Sequence, residues 1–263
     1  MKAVEILDHF RGIGPWVDWN HTVDRIILGD PQTEVKKIAV CWQARTETLH
    51  KAVAMGCNLM VVHENIFYRH WDNDEKILKQ PQVVAKKKYI EDNGLVILRC
   101  HDTWDQVPVV GVIDSWAAQL GLKNRLRLNG FHAVYESPAP TLIDLAQRVA
   151  GCTVYLGQDV VQVMGDPKMK ITKVGIGCGA ITQPDTMVAM GADALIVTDD
   201  GIEYLGNGGW AMDKDVGMIV VNHGTAEEPG VRNLATYLGE KFPQVKTVHI
   251  PQGCMYVSVP RTS

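Results

Sequence analysis

Short, continuously apolar runs alternate with helix-like segments along most of this 263-residue sequence. The run NLMVV precedes the helix-like PQVVAKKKYIEDNG, and the run LVILRC precedes IDSWAAQLGL. Such runs are typical of strands covered on both faces, because a half-exposed strand alternates apolar and polar residues. Strands that alternate with helices in this way form mainly parallel sheets. The sequence therefore predicts an α/β fold.

Turn residues divide the pattern further. Gly56, Gly94 and Gly121 follow three predicted helices, where glycine commonly ends a helix. The helical pattern gives way to loop-like residues over 126–140, and we expect a domain change there. The predicted domains are 1–128 with 213–263, and 129–212. A loop is expected at GNGGW (206–210) and a short strand at MYVSV (255–259).

Three predicted strands end on a histidine: His63, His101 and His223. In open α/β sheets, ligands gather outside the carboxyl ends of the strands, so imidazoles placed there can converge. A single histidine at a strand end is usually only a polar loop residue. Three of them, each with a nearby carboxylate, favour a site.

The nearby carboxylates are Glu64, which follows His63 directly, Asp105, four residues after His101, and Glu227, four residues after His223. Pro229 resembles a residue in the first turn of a helix. We therefore interpret each four-residue separation as a strand-to-helix turn and not as one face of a helix.

Together these side chains form a nitrogen and oxygen ligand set. Six ligands exceed what one zinc ion normally takes, and they suit two divalent ions, which could be zinc, iron or manganese. The predicted ligands are His63, Glu64, His101, Asp105, His223 and Glu227. His70, which follows shortly after His63, is retained as a supporting residue.

Two weaker sites stay open. Gly175, Gly177 and Gly179 partly match a dinucleotide-binding loop, although Ala180 takes the position of its last glycine and a tight turn is favoured. Cys100 adjoins His101 and could be a nucleophile, although its place at the end of an apolar strand favours packing.

Composition excludes several classes of protein. The net charge is -4 and the sequence pI is about 6.1, which does not favour nucleic-acid binding. The basic run Lys86–Lys88 is interpreted as a solvated helix face. Six cysteines without a C-x-x-C pair predict reduced thiols. Glu5 and Asp8 stand where a signal peptide needs apolar residues, and no apolar run reaches 18 residues, so a cytoplasmic protein is expected.

Three spaced motifs resemble those of the Nif-three-like family. The first motif of that family is a helix, a glycine turn and a strand that leads to paired histidines, and it is matched here by ETLHKAVAMGCNLMVVHENIFY. The second motif is matched by His101 to Asp105, which precede AAQLGL. The third is matched by His223 to Glu227. The resemblance spans residues 29–259. Glu64 and Asn65 stand where the family has histidine and proline, and Gln43 stands where it has an aspartate.

The resemblance implies two linked α/β domains with a dinuclear metal site in the cleft between them, and a homo-hexamer. Many family members are labelled GTP cyclohydrolase type 2. The leading hypothesis is a metal-dependent hydrolase of a small, nucleotide-like or phosphate-bearing substrate, in which Glu64 is a ligand or the general base. The alternatives are a non-catalytic metal-handling or regulatory protein, and a nucleotide-binding module that uses the Gly175–Gly179 turn.

Overall fold

The computed structural model describes residues 1–259, in two compact units. The first unit contains Met1–Gly111 and Val231–Pro251, and the second contains Val112–Gly230 and the residues from Gln252 onward. The sequence prediction placed 112–128, 213–230 and the C-terminal residues in the first domain. The units have different bounds because residues 125–136 and 217–221 are strands of the second sheet.

The elements are as follows. The helices are α1 (Ala3–Ile13), α2 (Thr46–Ala54), α3 (Glu75–Leu78), α4 (Pro81–Asp92), α5 (Asp102–Gln106), α6 (Val112–Gln119), α7 (Leu142–Thr153), α8 (Pro184–Ala189), α9 (Gly209–Asp213) and α10 (His223–Lys241). The strands are β1 (Ile26–Leu28), β2 (Lys37–Cys41), β3 (Leu59–Val62), β4 (Val96–Arg99), β5 (Arg125–Asn129), β6 (His132–Glu136), β7 (Gln162–Met164), β8 (Lys173–Gly177), β9 (Ala194–Thr198), β10 (Gly217–Val221) and β11 (Lys246–His249).

The first unit contains a sheet in the order β1-β4-β3-β2-β11. All of its pairs are parallel except β1 with β4. Every residue of β3 and β4 is buried, as the continuous apolar runs predicted. Helices α2 and α4 connect the successive parallel strands β2, β3 and β4. Because parallel neighbours share a direction, β3 and β4 end at the same edge of the sheet.

Two helices of this unit end where the sequence predicted. Gly56 and Gly94 follow α2 and α4 with φ of +74° and +59°. This left-handed conformation strains any residue with a Cβ atom, so glycine lets the chain turn out of the helix at low cost. The turns bring the chain into β3 and β4, the strands that position the candidate site.

The second unit contains a sheet in the order β5-β6-β8-β9-β10-β7. Strands β8, β9 and β10 are parallel, whereas the pairs β5–β6, β6–β8 and β7–β10 are antiparallel. The α/β class is therefore confirmed, but the expectation of mainly parallel sheets is wrong for this one. Of its antiparallel strands, β5 and β6 lie almost wholly in the segment 126–140, where loop-like residues were expected, whereas β7 lies outside it.

Three local predictions were wrong. The segment 126–140 is not a loop: most of it lies in the β5–β6 hairpin, whose two-residue turn has Gly130 at φ +55°. The segment 206–210 is helical, in a π-turn at Tyr204–Gly208 that runs into α9. Met255–Val259 forms no strand, and its side chains are largely exposed, so no sheet partner covers them.

The basic run on α4 is only partly solvated, which corrects the interpretation of Lys86. Lys88 is exposed, but Lys86 is buried, with its ammonium group 2.6 Å from the Ile66 carbonyl oxygen and over the Phe67 ring. Burial lowers the pKa of Lys86 to about 8. Among residues 1–259, no helix is long and apolar enough to cross a bilayer.

Candidate metal centre

The first group of predicted ligands lies at the carboxyl ends of β3 and β4. His63 directly follows β3, and its backbone N–H donates to the Trp42 carbonyl oxygen at 3.1 Å. His101 follows β4 after one residue. The two imidazole rings stack with their centroids 4.7 Å apart and their planes within 10°. The parallel register of β3 and β4 therefore brings the two histidines together, as the sequence predicted.

Asp105 joins them through a helix and not through an open turn. Its N–H donates to the His101 carbonyl oxygen at 3.0 Å, so the residues lie one helical turn apart at the start of α5. The prediction of a turn in place of a shared helical face was therefore wrong at this position. The helix starts immediately because Asp24, on another segment, accepts the N–H groups of His101, Asp102 and Thr103 at 2.6–2.9 Å.

The carboxylate of Asp105 lies between the two rings. One oxygen is 3.4 Å from His63 Nε2 and the other is 3.3 Å from His101 Nδ1. Asp102 also lies 2.9 Å from His101 Nδ1. Burial by itself lowers the pKa of His101, but Asp105, Asp102 and Glu64 together raise it well above its ordinary value. The cluster thus strongly favours a positive charge at its centre.

The hydrogen bonding of His63 determines which of its nitrogens faces that centre. Nδ1 lies 3.1 Å from the Cys100 carbonyl oxygen, which can only accept, so Nδ1 carries the proton. Nε2 therefore presents a lone pair towards the Asp105 carboxylate. Two acceptors so placed attract a cation between them. A backbone carbonyl that fixes the outer nitrogen is also the usual arrangement for a metal-binding histidine.

Glu64 faces the same centre from the end of β3. Its Oε1 lies 3.6 Å from His101 Nε2, while its Oε2 lies 3.1 Å from Arg99 Nη2. Glu64 is 7% exposed and Arg99 is completely buried. One ligand atom each from His63, Glu64 and His101 lies within 4.8 Å of the others, and the same holds for His101, Asp102 and Asp105. Four of the six predicted ligands are thus grouped in the first unit.

The other two predicted ligands form a pair in the second unit. His223 Nε2 lies 3.0 Å from Glu227 Oε2, one turn apart at the start of α10. Helix α10 begins at His223, and Pro229 lies inside it, so the expected strand-to-helix turn was wrong here too. The Asn222 carbonyl oxygen accepts the N–H of Ala226 at 3.1 Å, and asparagine is a preferred residue at a helix start.

Two aspartates at the end of β9 hold His223. Asp199 accepts the His223 backbone N–H at 3.0 Å and the Asn222 side-chain amide at 2.8 Å. Asp200 Oδ2 lies 2.8 Å from His223 Nδ1. The outer nitrogen is therefore occupied by a carboxylate, which leaves Nε2 facing Glu227.

The glycine-rich segment after β8 passes close to this pair. A Cβ atom on Gly179, whose φ is +44°, would lie 2.2 Å from Glu227 Oε1 and 2.3 Å from His223 Nε2. The Ile181 N–H donates to the Cys178 carbonyl oxygen at 2.7 Å, which closes a tight turn before the six-residue α8. The structure thus favours the tight turn over the dinucleotide loop, because no helix starts directly after the glycines.

Several residues that support these groups were not predicted from the sequence. Asp24 lies 77 residues before His101 and becomes its neighbour only through the fold, whereas Arg99 lies two residues before His101 and only its contact with Glu64 depends on the fold. Asp102 adjoins His101, so that adjacency was a usable signal. Asp199 and Asp200 directly follow β9, and the structure shows that they bind His223.

The structure also places His70, the expected supporting residue, and Cys100, the possible nucleophile. The His70 ring meets the His101 ring edge to face at 5.3 Å, next to the first group of ligands as expected for a supporting residue. Cys100 is completely buried, and burial raises the pKa of its thiol well above the ordinary value. A nucleophile needs the thiolate, so Cys100 serves packing.

The donor sets fit divalent metals. Imidazole nitrogens with carboxylate oxygens suit zinc, iron and manganese, and both histidines with an assigned outer partner present Nε2 inwards. The space that Gly179 leaves open beside His223 and Glu227 would be filled by any other residue.

Comparison with known proteins supports the resemblance. The family model described as Duf34/NIF3 (NGG1p interacting factor 3) matches residues 1–253. A Chlamydia pneumoniae protein named GTP cyclohydrolase 1 type 2 homolog is 26% identical over 254 residues, which cover 92% of this chain and 95% of that protein.

Solved structures show the same fold at low identity. A protein of unknown function called ybgI has a TM-score of 0.80 at 19% identity and covers all of both chains. A Bacillus cereus protein related to NIF3 has a TM-score of 0.74 at 13% identity, covering 100% of this chain and 99% of the other. These matches confirm the family resemblance and the fold predicted from the motifs. The chain belongs to the Duf34/NIF3 family.

Proposed function

We propose that this protein is a metal-dependent hydrolase of a small substrate that carries phosphate or a nucleotide-like group. The observation that supports the proposal most directly is the group of His63, Glu64, His101 and Asp105 at the ends of two parallel strands. Two stacked imidazoles and two carboxylates in a buried place form a nitrogen and oxygen donor set that suits a divalent ion. The Chlamydia relative, named for a GTP cyclohydrolase homologue, makes GTP one of the substrates to test.

In this proposal each side chain has a defined part. His63 and His101 would hold an ion through their Nε2 atoms, with Glu64 Oε1 and the Asp105 oxygen beside His63 as the oxygen donors. A bound divalent ion lowers the pKa of a coordinated water and so supplies hydroxide near neutral pH. Asp102 keeps the His101 ring oriented through Nδ1. Glu64 is preferred as a ligand over a general base, because Arg99 already binds its other oxygen.

The proposal extends to a second ion. The prediction that His223 and Glu227 complete a dinuclear centre with the four ligands of the first unit stays a prediction. So do the homo-hexamer and the cytoplasmic location. Elemental analysis of protein purified without chelators or a histidine tag tests the number of ions, and light scattering tests the assembly. About two equivalents per chain would support the dinuclear centre, and one equivalent would limit it to a single ion.

The activity test combines metal and substrate. Metal-loaded protein is assayed against phosphate monoesters, phosphodiesters and nucleoside triphosphates including GTP, beside the variants His101→Ala and Glu227→Gln. We expect both variants to lose metal and activity together. Full activity in a variant that binds no metal would contradict the mechanism.

A non-catalytic metal-handling or regulatory protein is the second candidate. The near-complete burial of His63, Glu64 and Asp105 favours it, because a closed site needs no access for substrate. The Co²⁺-substituted protein distinguishes the two. A visible spectrum that changes on adding azide or phosphate indicates an open coordination position and favours the enzyme, whereas an unchanged spectrum favours the closed site.

A further inference from the structure

The residues at which this chain departs from its family's motifs are connected to one another. Gln43 Nε2 donates to Asn65 Oδ1 at 3.0 Å, and the Asn65 backbone N–H donates to Glu64 Oε2 at 3.1 Å. Arg45 Nε in turn donates to Gln43 Oε1 at 3.1 Å. Gln43, Glu64 and Asn65 therefore form one hydrogen-bonded group, and the change at Glu64 is accommodated by its neighbours.

Arg99, the last residue of β4, also belongs to this hydrogen-bonded group. Its Nη2 binds Glu64 Oε2, its Nε donates to the His63 carbonyl oxygen at 3.0 Å, and Nη1 donates to the His70 carbonyl oxygen. The guanidinium is fully buried, and Asp72 Oδ2 lies 3.8 Å away. A planar guanidinium restricts the orientation of a bound carboxylate more than a lysine ammonium group could.

The two oxygens of Glu64 thus have different surroundings. Oε2 accepts hydrogen bonds from Arg99 and from the Asn65 backbone, whereas Oε1 faces His101 Nε2. A carboxylate held in this way offers one oxygen to a metal and cannot readily turn to offer both. Its negative charge is also balanced by the guanidinium, so the Glu64–Arg99 pair is neutral overall, as an imidazole is.

We propose that Arg99 is a positioning residue that makes Glu64 a single-oxygen, charge-balanced metal ligand in the place where the family has a histidine. This inference rests on the proposed metal centre of the first unit. It adds that Glu64 has not lost the metal-binding role of that position, and that the role depends on Arg99. Removing a partner that orients a ligand typically lowers metal affinity by about 10- to 100-fold.

The test is a double-mutant cycle on the full chain with metal alone. Mn²⁺, Zn²⁺ and Co²⁺ affinities are measured for the wild type, Arg99→Met, Glu64→His and the double variant. We expect Arg99→Met to weaken Mn²⁺ binding by about 10-fold or more in the wild-type background. In the Glu64→His background no carboxylate remains to be held, and the same change should alter the affinity less than about 3-fold.

The Co²⁺ absorption spectrum gives a second measurement. It should change with Arg99→Met only where Glu64 is present, because only there does the coordination of the metal change. Equal losses of affinity in both backgrounds would show that Arg99 is merely structural and would overturn the inference. A wild-type protein that binds none of the three metals would overturn the proposed function itself.

Folding of the variants is checked by thermal unfolding of the metal-free proteins. If Arg99→Met does not fold, Asn65→Pro replaces it in the cycle. This change introduces the family residue, removes the backbone donor to Glu64 Oε2 and also removes the side-chain oxygen that accepts from Gln43. We expect a smaller loss of Mn²⁺ affinity, about 3-fold, that again disappears with Glu64→His. A loss that persists there would contradict the inference.

Discussion

The two histidine groups are built alike but held differently. In each, a parallel strand ends at a histidine that starts a helix, and a carboxylate lies one turn later. In each, one aspartate accepts the histidine's backbone N–H and another binds its Nδ1: Asp24 and Asp102 for His101, and Asp199 and Asp200 for His223. The same local arrangement has therefore arisen at both strand ends.

The difference lies in what surrounds each histidine. The group in the first unit contains four of the six proposed ligands, and the buried Arg99 holds Glu64. The second unit contributes the other two, His223 and Glu227, which lie beside a glycine turn. Side-chain length matters too: Glu227 reaches Nε2 of its histidine, whereas the shorter Asp105 reaches Nδ1. We infer that the first group is the stronger metal site.

The expected order of metal affinity between the two groups is tested most directly by removing one imidazole from each group. His101→Ala should lower metal affinity by about 100-fold or more, because it deletes a ligand and not only its support. His223→Ala should cost less if the first group holds the tighter ion. Isothermal titration with Mn²⁺ measures both. His50→Ala, on the exposed face of α2, is the matched control, and an equal loss from it would invalidate the comparison.

Buried charge in the first unit predicts a dependence of stability on pH. Lys86 has its pKa lowered by burial to about 8 from 10.5, so between these values the unfolded chain binds a proton that the folded chain has released. Stability therefore rises with pH across this window. Relative to Lys86→Met, the free energy of unfolding should increase by about 3 kcal/mol from pH 7 to 10.5. Urea unfolding at several pH values checks this, and parallel curves for the two proteins would contradict it.

The starts of α5 and α10 can be compared by replacing the aspartates that accept their first backbone N–H groups. Asp24→Asn weakens three N–H contacts of α5, and Asp199→Asn weakens one backbone and one side-chain contact at α10. We expect Asp24→Asn to lower the free energy of unfolding by about 2 kcal/mol, and Asp199→Asn by about 1 kcal/mol. Thermal unfolding of both variants tests the order, and a larger loss from Asp199→Asn would reverse it.

Gly179→Ala tests the turn beside the second pair. Its φ of +44° costs an alanine about 1 kcal/mol. The added methyl must also displace Glu227 Oε1 and the His223 ring, which Asp200 holds, so it should reduce any metal held there. Gly191→Ala, at φ +97° with open space around it, is the matched control for backbone strain alone. If the two variants bind metal equally, the turn does not shape the site.

The local elements were more predictable than their assembly. The buried strand β3 is apolar throughout and β4 is apolar up to its last residue, Arg99, and the histidines that follow them could be found because strand ends are marked in sequence. The β5–β6 hairpin was not predicted, because arginines and leucines alternate in β5, which is an exposed edge strand. The early start of α10 was hidden by Pro229, which usually marks a first turn and here lies within the helix. Asp24 could not be found, since only the fold brings it to the site, and the pairing of Arg99 with Glu64 could not be found for the same reason, although Arg99 lies two residues before His101.

The pairing of Glu64 with Arg99 constrains how this branch of the family can have arisen. A glutamate at position 64 without Arg99 buries an uncompensated carboxylate, and Arg99 beside a histidine leaves a buried guanidinium with only the more distant Asp72. Either single change should cost several kcal/mol, so the two residues are expected to have been gained nearly together. Among relatives, an arginine at the position of Arg99 should accompany an acid at the position of Glu64 and be rare beside a histidine. Comparing these two positions across an alignment of relatives would therefore show whether the two residues changed together during evolution.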